Sequence, residues 1–150
     1  MSGKQFGSGG RTPASSRPEP LSLTANQVIQ DVRAALRVDF SYDPADPLFV
    51  SVVFRPAYDR AVTWQISRTL MCDGLRRPTG SGDVRIWPVR RTGRPVVRLR
   101  LHDHGSTALF EIDLPDLQDW LTRTCESVPP GTELDDVDWD AALRALVDGA

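Results

Sequence analysis

Residues 96–113 read VVRLRLHDHGSTALFEID, and this stretch decides the fold class. Two runs, 96–102 and 107–113, carry the alternating pattern of strands, and Asp103-His104-Gly105-Ser106 between them is a hairpin connection. Val96, Arg98, Arg100 and His102 share one strand face. Working outward, Val84-Arg85-Ile86-Trp87-Pro88 precedes a turn at Thr92-Gly93-Arg94-Pro95. Leu48, Val50, Val52 and Phe54 alternate, as do Val62, Trp64 and Ile66, and Asp43-Pro44-Ala45-Asp46-Pro47 forces a turn before them. Arg68 to Gly74 has a short helical pattern with Gly74 placed as its C′ residue. Connections this short make the strands antiparallel. A helix follows at 115–127, and Pro129-Pro130-Gly131 breaks the chain before a last amphipathic helix from Asp138, with Leu143, Leu146 and Val147 on one face. The class is α+β: antiparallel β-sheets with a short helix between halves and C-terminal helices.

The segment 24–42 supports two periods. Val32, Ala34, Leu36, Val38, Phe40 and Tyr42 alternate strictly, as in a half-buried strand. Val28, Ile29, Val32, Ala35 and Leu36 also fit a helical stripe, behind a capping-box pattern at Thr24 and Gln27. The reading adopted is a helix over 24–35 and a strand over 36–42. Residues 1–20 hold four Gly, four Ser and three Pro, with Phe6 the only large apolar side chain. Such a segment cannot offset its ordering entropy by burial, so it reads as a disordered tail ahead of one domain at 21–150.

Composition excludes more than it assigns. The chain has 150 residues, a net charge of −2 and 25% charged side chains, which suits one soluble domain. No run approaches the roughly 18–20 apolar residues of a membrane span. The N-terminal sequence has no apolar h-region, so a cytoplasmic location is expected. Cys72 and Cys125 lie in no metal-binding spacing and suggest no disulfide framework. His102-Asp103-His104 sits at a turn with no third ligand to name, and reads as a solvated turn. Asp136-Val137-Asp138-Trp139-Asp140 opens like a calcium loop but has Ala141 and Val147 where glycine and glutamate are needed. Gly7-Ser8-Gly9-Gly10 follows no strand, and Gly80-Ser81-Gly82 leads into a strand, so neither cradles phosphate. No nucleophile elbow occurs. Nothing here reads as an active site, and no cofactor or metal is expected.

Charge is segregated along the chain. Residues 55–100 carry 11 Arg against three Asp, a balance of +8, while residues 111–150 carry 11 acidic groups against two Arg, a balance of −9. Either the halves complement one another or a basic face meets an acidic partner. Within the basic half, Arg76 to Asp83 reads as a polar loop anchored between Leu75 and Trp87. Arg76, Arg77, Thr79 and Asp83 are its candidate partner-binding residues, and Trp64, Leu75 and Trp87 its candidate core supports.

YDPADP (42–47), VTW (62–64), DGLRRPTGSGDVRIWP (73–88) and VPPGTE (128–133) resemble the SsgA-like regulators, small sporulation and cell-division proteins of actinobacteria. The resemblance runs in order from Leu36 to Glu133. It implies a non-enzymatic role in selecting or activating division sites, and recruitment to division septa. The partners it implies are the FtsZ-type machinery or SsgA-like paralogues. It further implies a trimer whose subunit fold is Whirly-like. The leader and the helix read over 24–35 depart from the family, whose members usually begin directly with a strand. SRTLMCDGL stands where relatives have a more acidic or Ala-rich short helix. A Whirly-like sheet raises single-stranded nucleic acid as the alternative partner. The face bearing Arg98, Arg100 and His102 offers no aromatic on its own strand for stacking, and the pI near 5.6 argues against that partner.

Overall fold

The computed structural model describes residues 16–90 and 92–148. The elements run β1 (Leu21–Ile29), β2 (Val32–Ser41), β3 (Phe49–Arg55), β4 (Val62–Ser67), α1 (Arg68–Gly74), β5 (Thr79–Ser81), β6 (Val84–Val89), β7 (Val96–Asp103), β8 (Ser106–Asp113), α2 (Leu114–Ser127) and α3 (Trp139–Asp148). All the strands join one antiparallel eight-stranded sheet, ordered β4-β3-β2-β1-β8-β7-β6-β5. Two four-stranded meanders, each followed by a helix, therefore meet at the β1–β8 seam. That seam is short: Asn26 faces Glu111, Gln27 faces Phe110 and Val28 faces Leu109.

The helix read over 24–35 is absent. Leu21–Ile29 and Val32–Ser41 are instead a hairpin in which Ile29 faces Val32 and Leu21 faces Phe40. Its two-residue loop is Gln30-Asp31, with Gln30 at φ 47°. Such loops need positive φ, which glycine or asparagine normally supplies. Neither is present, so the sequence carries no turn signal at the point where the chain reverses. The hairpin on the other side of the seam behaves as its sequence demands: His104 and Gly105 take φ 48° and 81° between β7 and β8.

Alternation divides the sheet into two faces. Val38, Phe40, Val50, Val52, Ile66, Ile86, Val97, Leu99 and Ile112 are buried on the core face. α2 closes part of it because Leu114, Leu117, Trp120, Leu121 and Thr124 recur at helical spacing and are all buried. Asp113 caps that helix by accepting from the Asp116 amide at 3.0 Å, and Pro115 suits its first turn. Trp120 is fully buried. It packs on Phe40 with ring centroids 5.9 Å apart and donates its indole N–H to the Glu19 carbonyl at 2.8 Å. Ser127 likewise donates to the Ser16 carbonyl at 2.6 Å. Residues 16–20, assigned to the tail by composition, are thus held against α2; residues 1–15 of that assignment lie outside the described residues.

Trp64 and Trp87 are half-buried, Trp64 packing against the edge of the core, whereas Leu75 is buried. Register explains the difference. Trp64 lies on the core face of an edge strand, opposite Val52, while Trp87 lies on the open face, opposite Arg98. α3 buries none of its residues, so the C-terminal acidic segment does not form a second core layer.

Candidate functional site

The segment Arg76 to Asp83 is shorter as a loop than its composition suggests. α1 begins with Ser67 accepting from the Leu70 amide at 3.2 Å, and Leu75 is its C-cap. Gly74 is the last helical residue and has no left-handed role. A Cβ there would lie 2.5 Å from the Ile86 Cβ, so glycine is needed for close packing of helix on strand. The amides of Arg76 and Arg77 both donate to the Asp73 carbonyl at 3.0 Å. Thr79–Ser81 then pairs with β6 as the edge strand β5, and Gly82 turns the chain at φ 60°. Thr79, half-buried, donates its hydroxyl to the Arg77 carbonyl at 2.9 Å. The Asp83 carbonyl accepts from the His102 amide at 2.9 Å, tying the turn to β7.

Arg76 and Arg77 project from this frame with side chains 70% and 69% exposed. Both meet one carboxylate, Asp73, at 3.3 Å and 3.9 Å. Among the described residues neither pairs with the acidic C-terminal helices. Exposed pairs of this kind hold a side chain loosely and contribute little to stability.

Behind the segment lies an ionic node that sequence reading missed. Arg68, only 2% exposed, donates to the Thr124 carbonyl at 2.9 Å and to Glu133 Oε2 at 2.8 Å. Its guanidinium carbon sits 5.1 Å from the centroid of the Tyr42 ring. Glu133 Oε1 accepts from the Gly131 amide at 2.8 Å, and Tyr42 donates to the Pro47 carbonyl at 2.9 Å. The hydrogen bond from Arg68 holds the Glu133 carboxyl below its ordinary range, and burial pushes the Tyr42 phenol up to about 12. YDPADP and VPPGTE, far apart in sequence, are therefore two walls of one buried site. Arg68 opens a short helix in an otherwise unremarkable polar context, and only the tertiary fold brings its partners to it. Beside the node, Cys72 and Cys125 face the groove between α1 and α2. Burial and the neighbouring Cys125 thiol push Cys72 up to about 11, leaving it a weak nucleophile.

The open face of the sheet carries most of the remaining charge. Glu111, buried on β8, is held by Arg33 Nε at 2.7 Å and Arg98 Nη2 at 2.8 Å. Asp39 on β2 accepts from Arg55 at 2.7 Å, from Ser22 at 2.7 Å and from Arg37 at 3.1 Å. Burial opposes ionisation of Asp39, but these donors outweigh it and bring the carboxyl down to about 2. Arg94 pairs with Asp113 and with Asp116. An aromatic does stand on the Arg98 face, contrary to the single-strand reading: Trp87 comes from β6, one strand away. His102 Nδ1 lies 2.9 Å from Thr107 Oγ1, and His104 lies 3.3 Å from Asp103. Among the described residues no cluster of three or more His, Cys, Asp or Glu side chains is placed to hold a metal, and no helix is long and apolar enough to cross a membrane.

Residues 36–133 match the family described as Streptomyces sporulation and cell division protein, SsgA. The sporulation-specific cell division protein SsgB of Frankia casuarinae is 43% identical over 108 residues, 72% of this chain and 76% of its own. SsgB of Streptomyces coelicolor is 43% identical over 106 residues, covering 71% and 77%. Among solved structures, an SsgA-like sporulation-specific cell division protein from Thermobifida fusca superposes with a TM-score of 0.77 at 28% identity. That match covers 91% of this chain and 99% of the other. A structure described with SsgB mutations that correlate to longitudinal cell division during sporulation of Streptomyces coelicolor gives 0.74 at 35% identity, covering 82% and 97%.

Proposed function

Because the chain belongs to the SsgA family of sporulation and cell division proteins, we propose that it regulates sporulation-specific division without catalysis, as an adaptor that helps select or activate septum sites. In this reading it works in the cytoplasm, is recruited to septa, and assembles as a homotrimer. Its partners are the FtsZ-type machinery or SsgA-like paralogues. One observation carries the reading. Arg76 and Arg77 stand side by side and exposed on a segment fixed at one end by α1 and at the other by strand pairing. Paired guanidinium groups on a rigid support suit an acidic protein surface, with Thr79 and Asp83 holding the frame. Among the described residues the buried charged side chains, Arg68 and Glu111, are both held in ion pairs, which suits a structural role.

The test is the double variant Arg76→Glu/Arg77→Glu expressed in sporulating cells. An unchanged melting temperature and oligomer mass, together with lost septal localisation and lost FtsZ capture, is the expected result. Wild-type localisation in a folded variant overturns the assignment of this segment. Light scattering at micromolar concentration checks the assembly, with three chain masses expected.

A further inference from the structure

We propose that the open sheet face around Arg85 and Arg100 docks the acidic amphipathic helix α3 of a second copy of this chain. The inference rests on the reading that the chain self-associates, and assigns the surfaces through which it does so.

Arg85 on β6 and Arg100 on β7 are direct cross-strand neighbours, both exposed. Like charges placed opposite one another destabilise a sheet. The other arginines of this face have partners at home: Arg33 and Arg98 share Glu111, and Arg37 and Arg55 share Asp39. Among the described residues no ion pair joins a carboxylate to Arg85 or Arg100, not even Asp83 in the turn two positions before Arg85. The Arg85 side chain lies across the bare backbone of Gly80, where a Cβ would come within 3.1 Å of its Cγ. A pair of cations left without counter-charge calls for an anion from outside.

The same chain exposes a suitable one. On α3, Trp139, Leu143, Leu146 and Val147 line one face, with Leu146 and Val147 72% and 76% exposed. Asp140 lies in its first turn, Asp138 caps it by accepting from the Ala141 amide at 3.0 Å, and Asp136 stands two residues further ahead. Asp136 and Asp140 have no ion-pair partner among the described residues. On the sheet, Val28, Leu109, Arg100 and Arg85 form one row across β1, β8, β7 and β6, and half-buried Trp87 stands beside it. The row begins apolar and ends cationic, as a helix with an apolar face and acidic first turn requires. With strands about 4.8 Å apart, a row crossing to β5 spans about 19 Å, against about 15 Å for a ten-residue helix. Helix into sheet joins two different surfaces, so made head to tail it closes into a ring where the rotation permits.

Light scattering across a dilution series of the full chain tests this. Arg85→Glu/Arg100→Glu and Asp136→Arg/Asp140→Arg should each raise the concentration at which the assembly dissociates by about tenfold or more. The quadruple variant, with both charges exchanged, should regain most of the loss. Leu146→Glu/Val147→Glu, on largely exposed positions, should weaken assembly without moving the melting temperature. A monomeric wild type overturns self-association and this interface together. An assembly indifferent to the reversals, or one that the quadruple variant fails to recover, overturns the interface alone. Single-stranded oligonucleotide binding that is lost in Arg85→Glu/Arg100→Glu while assembly is unchanged assigns the patch to phosphates instead.

Discussion

Removing the Arg68 guanidinium would leave Glu133 facing a buried site without its cation. Arg68→Ala is expected to cost about 3–5 kcal/mol in urea unfolding, because a stranded carboxylate near the core is worse than no charge at all. Arg68→Met/Glu133→Gln should cost clearly less, since it removes both charges together. Among the aromatics, Trp120→Ala should lose about 3–5 kcal/mol. Trp64→Ala and Trp87→Ala should each lose less, because both rings keep solvent contact; thermal melts of the three variants settle the ranking. Trp120 was legible in principle, since Leu114, Leu117, Leu121 and Thr124 share its helical stripe. Arg68 was not, because no local pattern marks a buried cation whose partners lie 56 and 65 positions away.

At the scale of elements, the strands from 84 to 113, the short helix at 68 and the helix at 115 follow from alternation and turn chemistry, and their ends agree within a residue or two. The failure at 24–35 has a definite cause. The apolar residues there satisfy both periods, and the deciding turn uses Gln30 in a left-handed conformation that costs a non-glycine residue about 1 kcal/mol or more. Gln30→Gly is accordingly expected to raise stability by about 0.5–1 kcal/mol, measured by chemical denaturation. A loss of stability would mean that the Gln30 side chain makes a contact outweighing its backbone strain. Arg76 and Arg77 were legible as an exposed pair; their shared carboxylate, Asp73, was not singled out, although it stands three and four positions ahead in the same turn of chain.

For the whole molecule, ion pairs across the sheet and from α1 to the segment after α2 make folding sensitive to acid. Asp39 is held down to about 2, and Asp113 and Glu133 are also lowered by their arginine partners. Carboxylates in an unfolded chain titrate near 4, so the unfolded state takes up these protons first. The stabilisation is complete above about pH 5 and drains away as pH falls through 4 toward 2. Melting temperature should therefore drop steeply in that window. Asp39→Asn should start lower at neutral pH and fall less on acidification. A profile flat down to pH 2.5 would show that these pairs do not contribute to stability in solution.

The β1–β8 seam joins strands that leave the ribosome roughly 80 residues apart. Synthesis at about 5–20 residues per second puts about 4–16 s between the emergence of β1 and the arrival of β8. During that interval the first meander can pair within itself, but β1 is an open edge that any nascent neighbour could extend. Two features of β1 limit that hazard: Ser22, Thr24 and Asn26 line one of its faces, and only three residue pairs must wait for the late partner. The order of birth along the chain thus sets when the molecule is most exposed to its own copies, seconds before there is any finished surface with which to meet them.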